Sequence, residues 1–342
     1  MLNQLDQIPT GLLDLDATEL HDVLGGPTLI ELDGRRKPRI FVSVLMHGNE
    51  TSGWGAIQKL LRKYQTTPGQ VDLPRAMTLF IGNTLAAKNN VRHLLEQPDF
   101  NRVWPGSELP QCEEHGLMEQ VVDIVTSESL FASIDIHNNT GLNPHYACVN
   151  NLNAPNLHLA ALFGRTVVYF IRPVGVQAMA MSSYCPAVTL ECGRVDSDYG
   201  VTHALEYLDA CLHLSELPTH AVAPHDLDLF HTTATVKVKP DVTFGYQGSN
   251  LDLELPGDLE RLNFTEIEPG MRFGRVRHDD LRAIAVCDEY GKDVAEAYFE
   301  VNDGELRTRL TVMPSMLTPD VEVIRQDCLC YLMERFPLPA TA

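Results

Sequence analysis

His47 and Glu50 stand three residues apart in the run Phe41-Val42-Ser43-Val44-Leu45-Met46-His47-Gly48-Asn49-Glu50-Thr51-Ser52. One imidazole and one carboxylate are two of the three protein ligands of an open catalytic zinc site. The third ligand expected is a distant histidine. Residues 40–46 are apolar and rich in β-branched side chains, as an internal strand is. Gly48 permits a backbone turn closed to other residues, and Asn49, Thr51 and Ser52 are good helix N-caps. The spacing by itself is weak evidence, because His-x-x-Glu also occurs at His93/Glu96, His203/Glu206 and His213/Glu216. His203 and His213 lie in a stretch of helical periodicity, and His93 lies in a polar loop. Only His47 directly follows a buried-strand pattern.

The elements that must position these residues alternate along the chain. Strands are expected over 28–32, 39–45, 76–82, 130–136, 146–149, 166–171 and 187–190, with helices over 54–64, 116–125, 154–163 and 201–214. The first 26 residues read as a polar lead-in with one short helix over 17–24. Residues 83–110 are polar with little periodicity, and loops of that length in a compact domain are usually functional. Buried strands alternating with helices imply an α/β fold with a parallel or mixed sheet, whose ligands collect at the carboxyl ends of strands. His47, His137 and Glu191 each fall just past an expected strand end. Asp135 lies on the same strand face as His137 and could hold its imidazole.

Pro218 and Pro224 mark a linker. Short strands follow, over 234–238, 272–276, 283–287, 297–301, 309–312 and 321–325, with Asp303-Gly304 as a hairpin turn. Residues 328–336 fit a strand or a short helix. The division expected is 1–220 as the first domain and 221–342 as a smaller, mostly β domain.

Composition excludes several partners. The formal charge is 26 − 46 = −20, which argues against nucleic acid and anionic membranes. No apolar run reaches the length of a membrane span. The eight cysteines form no CxxC pair, so they read as reduced core residues of a cytoplasmic protein.

With His137 added, the residues resemble the succinylglutamate desuccinylase/aspartoacylase family of the zinc carboxypeptidase superfamily. The matching pieces are His47-Gly48-Asn49-Glu50, Gly82-Asn83 with Ala86, Arg92, Asp99-Phe100-Asn101-Arg102, Asp135-Ile136-His137-Asn138 with Thr140, and Glu191-Cys192-Gly193. They stand in the family's order over residues 41–194. The resemblance implies a zinc-carboxypeptidase-like mixed central sheet flanked by helices, with a zinc hydrolase catalytic domain over 1–220. It implies His47, Glu50 and His137 as ligands of one Zn²⁺ per chain and Glu191 as the catalytic carboxylate. Arg92, Asn101 and Arg102 would surround the substrate. Arg102 would stabilise an oxyanion, Arg92 would clamp a substrate carboxylate, and Asn138 would contact substrate beside His137.

The activity expected is hydrolysis of the amide of a small, anionic N-acyl amino acid, with Glu191 moving the proton. Residues 179–186 contain no arginine, where aspartoacylase uses one for its substrate. N-succinylglutamate, another N-acyl amino acid or a peptide-like amide all stay open. A carboxypeptidase acting on peptides would need an uncovered cleft. A non-catalytic zinc-binding protein would have no need of Glu191. Homo-oligomers are compatible with the sequence.

Overall fold

The structure, a computed structural model, describes residues 1–338 apart from 196 and 249. The apolar runs assemble into a twelve-stranded mixed sheet. In chain order its strands are β1 (Asn3–Leu5), β2 (Thr28–Leu32), β3 (Arg39–Val44), β4 (Met77–Ile81), β5 (Leu130–Asn139), β6 (Tyr146–Val149), β7 (Thr166–Tyr169), β8 (Ala187–Arg194), β9 (Asp228–Val238), β10 (Ile284–Asp288), β11 (Met313–Ser315) and β12 (Cys330–Arg335). Across the sheet the order is β1-β2-β4-β3-β5-β8-β6-β7-β9-β12-β11, and β10 pairs with β9. The central strands β4, β3, β5 and β8 are parallel neighbours. The long helices are α1 (Ser52–Tyr64), α2 (Glu113–Val125), α3 (Ala154–Phe163) and α4 (Asp198–His213).

Alternation along the strands decides what each face carries. Val42 and Val44 of β3, Ile134 and Ile136 of β5, and Val188 and Leu190 of β8 pack with α1, α3 and α4 in one apolar cluster. Phe41 and Ala187 belong to a second cluster with Met118 and Val121 of α2. The alternation puts Ser43, Asp135, His137, Thr189 and Glu191 on that second face. Register then aligns them, Ser43 with Asp135, Asp135 with Thr189, and His137 with Glu191.

Beyond residue 221 the chain re-enters this sheet. β9 pairs in parallel with β7 and antiparallel with β12 and β10. Its Leu229 packs in the first cluster, while Ala234, Val236 and Val238 enter a separate C-terminal one. A five-stranded sheet completes the region. In it, strands Phe299–Asn302 and Glu305–Thr308 are joined by Asp303-Gly304. Both turn residues have positive φ, 51° and 72°, as a two-residue type I′ hairpin needs.

Several local expectations are corrected. Residues 321–325 form a helix, Val321–Gln326, because Asp320 accepts hydrogen bonds from the backbone N–H of Glu322 (2.9 Å) and Val323 (3.2 Å). That cap outweighs the strand preference of Val321, Val323 and Ile324. Residues 309–312 lie outside the strands, since the hairpin register places the strand at Glu305–Thr308. The lead-in contributes β1, parallel to β2. Strands β5 and β8 also run on past 136 and 190, so His137 and Glu191 are strand residues near the carboxyl edge.

Trp104 anchors the 83–110 loop under the sheet. It is fully buried and meets Phe41 and Phe80 edge-on, with ring centroids 6.5 and 6.1 Å away. Trp104→Ala should cost about 3–5 kcal/mol, read as a drop of several degrees in a thermal melt. An unchanged melting temperature would show that the loop is held elsewhere.

Candidate active site

The turn after β3 builds the first half of the site. Leu45 adopts a positive φ of 58°, and the chain passes through Gly48 into α1. Gly48 itself is outside the left-handed region, which corrects the expected reason for a glycine. A Cβ there would lie 2.1 Å from the backbone of Ala86 and Ala87. The Gly48 N–H donates to the Arg92 carbonyl at 3.0 Å. Close packing against the short helix Thr84–Lys88, not turn conformation, requires this glycine.

Glu50 lies between two imidazoles. Its Oε1 is 2.8 Å from His47 Nδ1, and its Oε2 is 2.7 Å from His137 Nδ1. The Asn138 N–H also donates to Oε2, at 3.0 Å. Burial alone would raise the Glu50 pKa, but His47 and His137 outweigh it and hold the carboxyl below the usual range. Burial likewise opposes charge on His137, yet Asp135 and Glu50 raise its pKa well above the ordinary histidine value.

The far side of each ring is fixed too. His47 Nε2 is 3.0 Å from Asp99 Oδ1, and His137 Nε2 is 2.7 Å from Asp135 Oδ2. Asp135 is fully buried and also accepts from Ser43 Oγ (2.7 Å) and Asn101 Nδ2 (3.1 Å). A carboxylate at Nε2 puts the ring proton there and leaves Nδ1 as the ligand atom. Both Nδ1 atoms face Glu50, where each can give an N–H to the carboxylate or, with a cation bound, a lone pair to the ion. The three candidate ligand atoms lie within 4.8 Å of one another, a span suited to bonds of about 2.0–2.2 Å. Donor types, tautomers and spacing all fit a divalent metal.

The other His-x-x-Glu copies are not sites of this kind. His93, His203 and His213 bond the backbone carbonyls of Leu94, Phe163 and Asp209.

Glu191 enters the same pocket as the three ligands, beside His137 in register. Its Oε2 accepts a close hydrogen bond from Asn139 Nδ2. Burial pushes its carboxyl up to about 8, with Glu50 and Asp135 adding to the shift and His137 opposing it. A cation at the histidines would favour the ionised form.

Arg92 and Arg102 also line the pocket, and both are ion-paired. Arg92 grips Asp99 Oδ2 through Nε (3.2 Å) and a terminal nitrogen (2.8 Å), and reaches Asp327 at 3.3 Å. Arg102 donates to Asp327 (3.0 Å) and to the Asn101 carbonyl (2.9 Å). Asn101 sits against His137 and Asp135, and its Oδ1 accepts the Gln177 N–H at 2.9 Å. Asn138 lines the pocket too, with its amide engaged in the scaffold. Its Nδ2 donates to Ser52 Oγ (2.9 Å) and to the Gly193 carbonyl (3.0 Å), and its Oδ1 accepts the Ser52 N–H at 3.0 Å. Both amide hydrogens are spent clamping α1 to β5 and β8, so none is free to donate to a substrate.

The C-terminal segment walls the pocket through Ser315, Met316, Val323, Asp327 and Tyr331. It is pinned by the Met316 N–H donating to Asn143 Oδ1 at 3.0 Å. A Cβ on Gly141 would lie 1.9 Å from the Leu317 carbonyl, so this approach also depends on glycine.

The profile of the succinylglutamate desuccinylase/aspartoacylase catalytic domain matches residues 36–211, just over half of the 342 residues. The chain belongs to this family. No curated protein matches it. The fold is similar to that of a succinylglutamate desuccinylase from Chromobacterium violaceum, with 18% identity and a TM-score of 0.59 over 90% of this chain and 87% of that one. A second, from Vibrio parahaemolyticus, gives 14% identity and a TM-score of 0.61 over 90% and 86%. Murine aminoacylase 3 gives 15% and 0.52 over 88% and 97%. The match covers the stretch that supplies every expected site residue, from His47 to Glu191.

Asp99, Ser43, Asn139 and Asp327 were not assigned roles by sequence reasoning. Asp99 was visible only as part of a motif, and nothing local marks Asp327 as a neighbour of residues more than two hundred positions away.

Asp99 touches His47 and Arg92 but not Glu50, so among the candidate ligands its change reaches His47 alone. Asp99→Asn should weaken binding of a divalent metal by about 10–100-fold, measured by chelator competition, with the fold retained. Unchanged affinity would contradict the Nε2–carboxylate arrangement. Full metal retention in a His47→Ala, His137→Ala double variant would remove the site altogether.

Proposed function

We propose that the protein is a zinc-dependent hydrolase that cleaves the amide bond of a small, anionic N-acyl amino acid. Placement of Glu191 carries this reading. A buried carboxylate faces the same pocket as a His-Glu-His set, yet is not part of that set. A non-catalytic metal site has no use for it.

His47, Glu50 and His137 would hold one Zn²⁺, whose contribution when bound is Lewis acidity toward a carbonyl and toward water. The remaining roles belong to the chain. Asn139 holds Glu191 Oε2, which leaves Oε1 to take a proton from water and pass it to the leaving nitrogen. Arg102, held by Asp327 and the Asn101 carbonyl, keeps further N–H groups for charge that develops on the acyl oxygen. Arg92 is anchored through Nε and one terminal nitrogen, and its other terminal nitrogen, 3.7 Å from Glu50 Oε1, is the one placed to reach a substrate carboxylate beside the metal ligands. Family membership supports hydrolysis of N-acyl amino acids, and the family's structural relatives named above include desuccinylases and an aminoacylase.

Peptide trimming is the weaker alternative. It calls for an uncovered cleft, and residues 315–331 wall this one.

Glu191→Gln keeps the shape of the side chain and removes its basicity. Metal content and fold should stay, KM should change little, and kcat should fall by roughly 10²–10⁴. Near-normal turnover would show that Glu191 is not the base. Loss of the metal would show that it is a ligand.

A further inference from the structure

Asp327 is a carboxylate inside the substrate pocket that the chemistry above does not use. It follows the helix Val321–Gln326 and reaches both pocket arginines, Arg102 at 3.0 Å and Arg92 at 3.3 Å. Its side chain is only 17% exposed. Burial opposes its ionisation, but Arg102 and Arg92 outweigh that and lower its pKa, so it is charged at neutral pH.

The cations of the pocket can be counted. Its lining contains no lysine and three arginines, Arg92, Arg102 and Arg172. Arg92 is paired with Asp99, Asp327 and, at 3.7 Å, Glu50, Arg102 with Asp327, and Arg172 with Glu108. Among the described residues, then, the pocket offers no unpaired cationic side chain. Spare N–H groups on Arg92 and Arg102 suffice for one carboxylate. A second would meet the charges of Asp327 and Glu191, or the apolar wall of Tyr146, Val168, Phe170, Val176 and Met316.

We infer that Asp327 is a specificity-determining residue, occupying the position between Arg92 and Arg102 that a second substrate carboxylate would take. The substrate is thereby restricted to N-acyl amino acids with one carboxylate and an uncharged, apolar side chain. This rests on the reading of the site as an N-acyl amino acid hydrolase and deepens it.

The test compares kcat/KM of the zinc-loaded full chain for N-acetyl-leucine and N-acetyl-aspartate. The wild type should favour N-acetyl-leucine. Asp327→Asn should shift the ratio toward N-acetyl-aspartate by about tenfold or more, through KM, as removal of one like charge implies. Asp327→Glu, which keeps the charge, should retain the wild-type order. A wild type that prefers N-acetyl-aspartate overturns the inference, even if the Asn variant fails to fold. So does an equal gain for both substrates, which would mark Asp327 as a plug that any carboxylate displaces. If neither compound is hydrolysed, the acetyl group is not the acyl group this site cleaves, and calorimetry with succinate and hexanoate tests specificity without turnover. The Asn variant must gain affinity for succinate relative to hexanoate, and an unchanged ratio overturns the inference.

Discussion

A buried carboxylate held between two imidazoles organises this molecule. Glu50 comes from the turn after β3, and His137 from β5, 87 residues later. Burying the Glu50 carboxylate is costly unless charge or strong hydrogen bonds meet both oxygens. His47, His137 and the Asn138 N–H supply them. Each imidazole then needs a partner of its own, which Asp99 and Asp135 provide. The site is a chain of compensations, in which every buried charge calls in the next and ties another loop to the sheet edge.

The second ring of that chain reaches the C-terminal region. Asp99 brings in Arg92, and Arg92 shares Asp327 with Arg102. Residues at 92–102 and at 327 are thus coupled by charge across more than two hundred positions. The two largest apolar clusters meet along β9, whose Leu229 packs in the first and whose Ala234, Val236 and Val238 pack in the second. The pocket wall is therefore built from both parts of the chain. It gives the C-terminal region a direct part in lining the pocket.

What the sequence made legible follows from how local the physics is. His47, Glu50, His137 and Glu191 could be found because each follows an apolar run whose period marks a strand, and strand ends of a parallel sheet meet. Asp135 was legible as a partner because residues two apart share a strand face. Asn138 lines the pocket, but alternation turns its side-chain amide into the clamp on Ser52 and Gly193, which nothing in the local sequence shows. Gly48 was read as a turn residue, whereas its need for glycine lies in the backbone of Ala86 and Ala87, which no local pattern reveals. The helix at Val321–Gln326 was hidden because one capping aspartate outweighs three β-branched residues. Asp327 could not be placed at all, since its partners are set by the path of β9 and β12 around the sheet.

The central claim is that this fold holds a metal at His47, Glu50 and His137 in order to cleave the amide of an N-acyl amino acid. Its most direct test is a metal titration of turnover. Chelator-stripped protein is titrated with Zn²⁺ while hydrolysis of a panel of N-acetyl amino acids and dipeptides is followed. The account predicts no activity in the stripped protein, full recovery at about one equivalent of zinc, and turnover of N-acetyl amino acids over dipeptides. Hydrolysis by the stripped protein, or a zinc-loaded protein that trims dipeptides and leaves every N-acetyl amino acid intact, would contradict it.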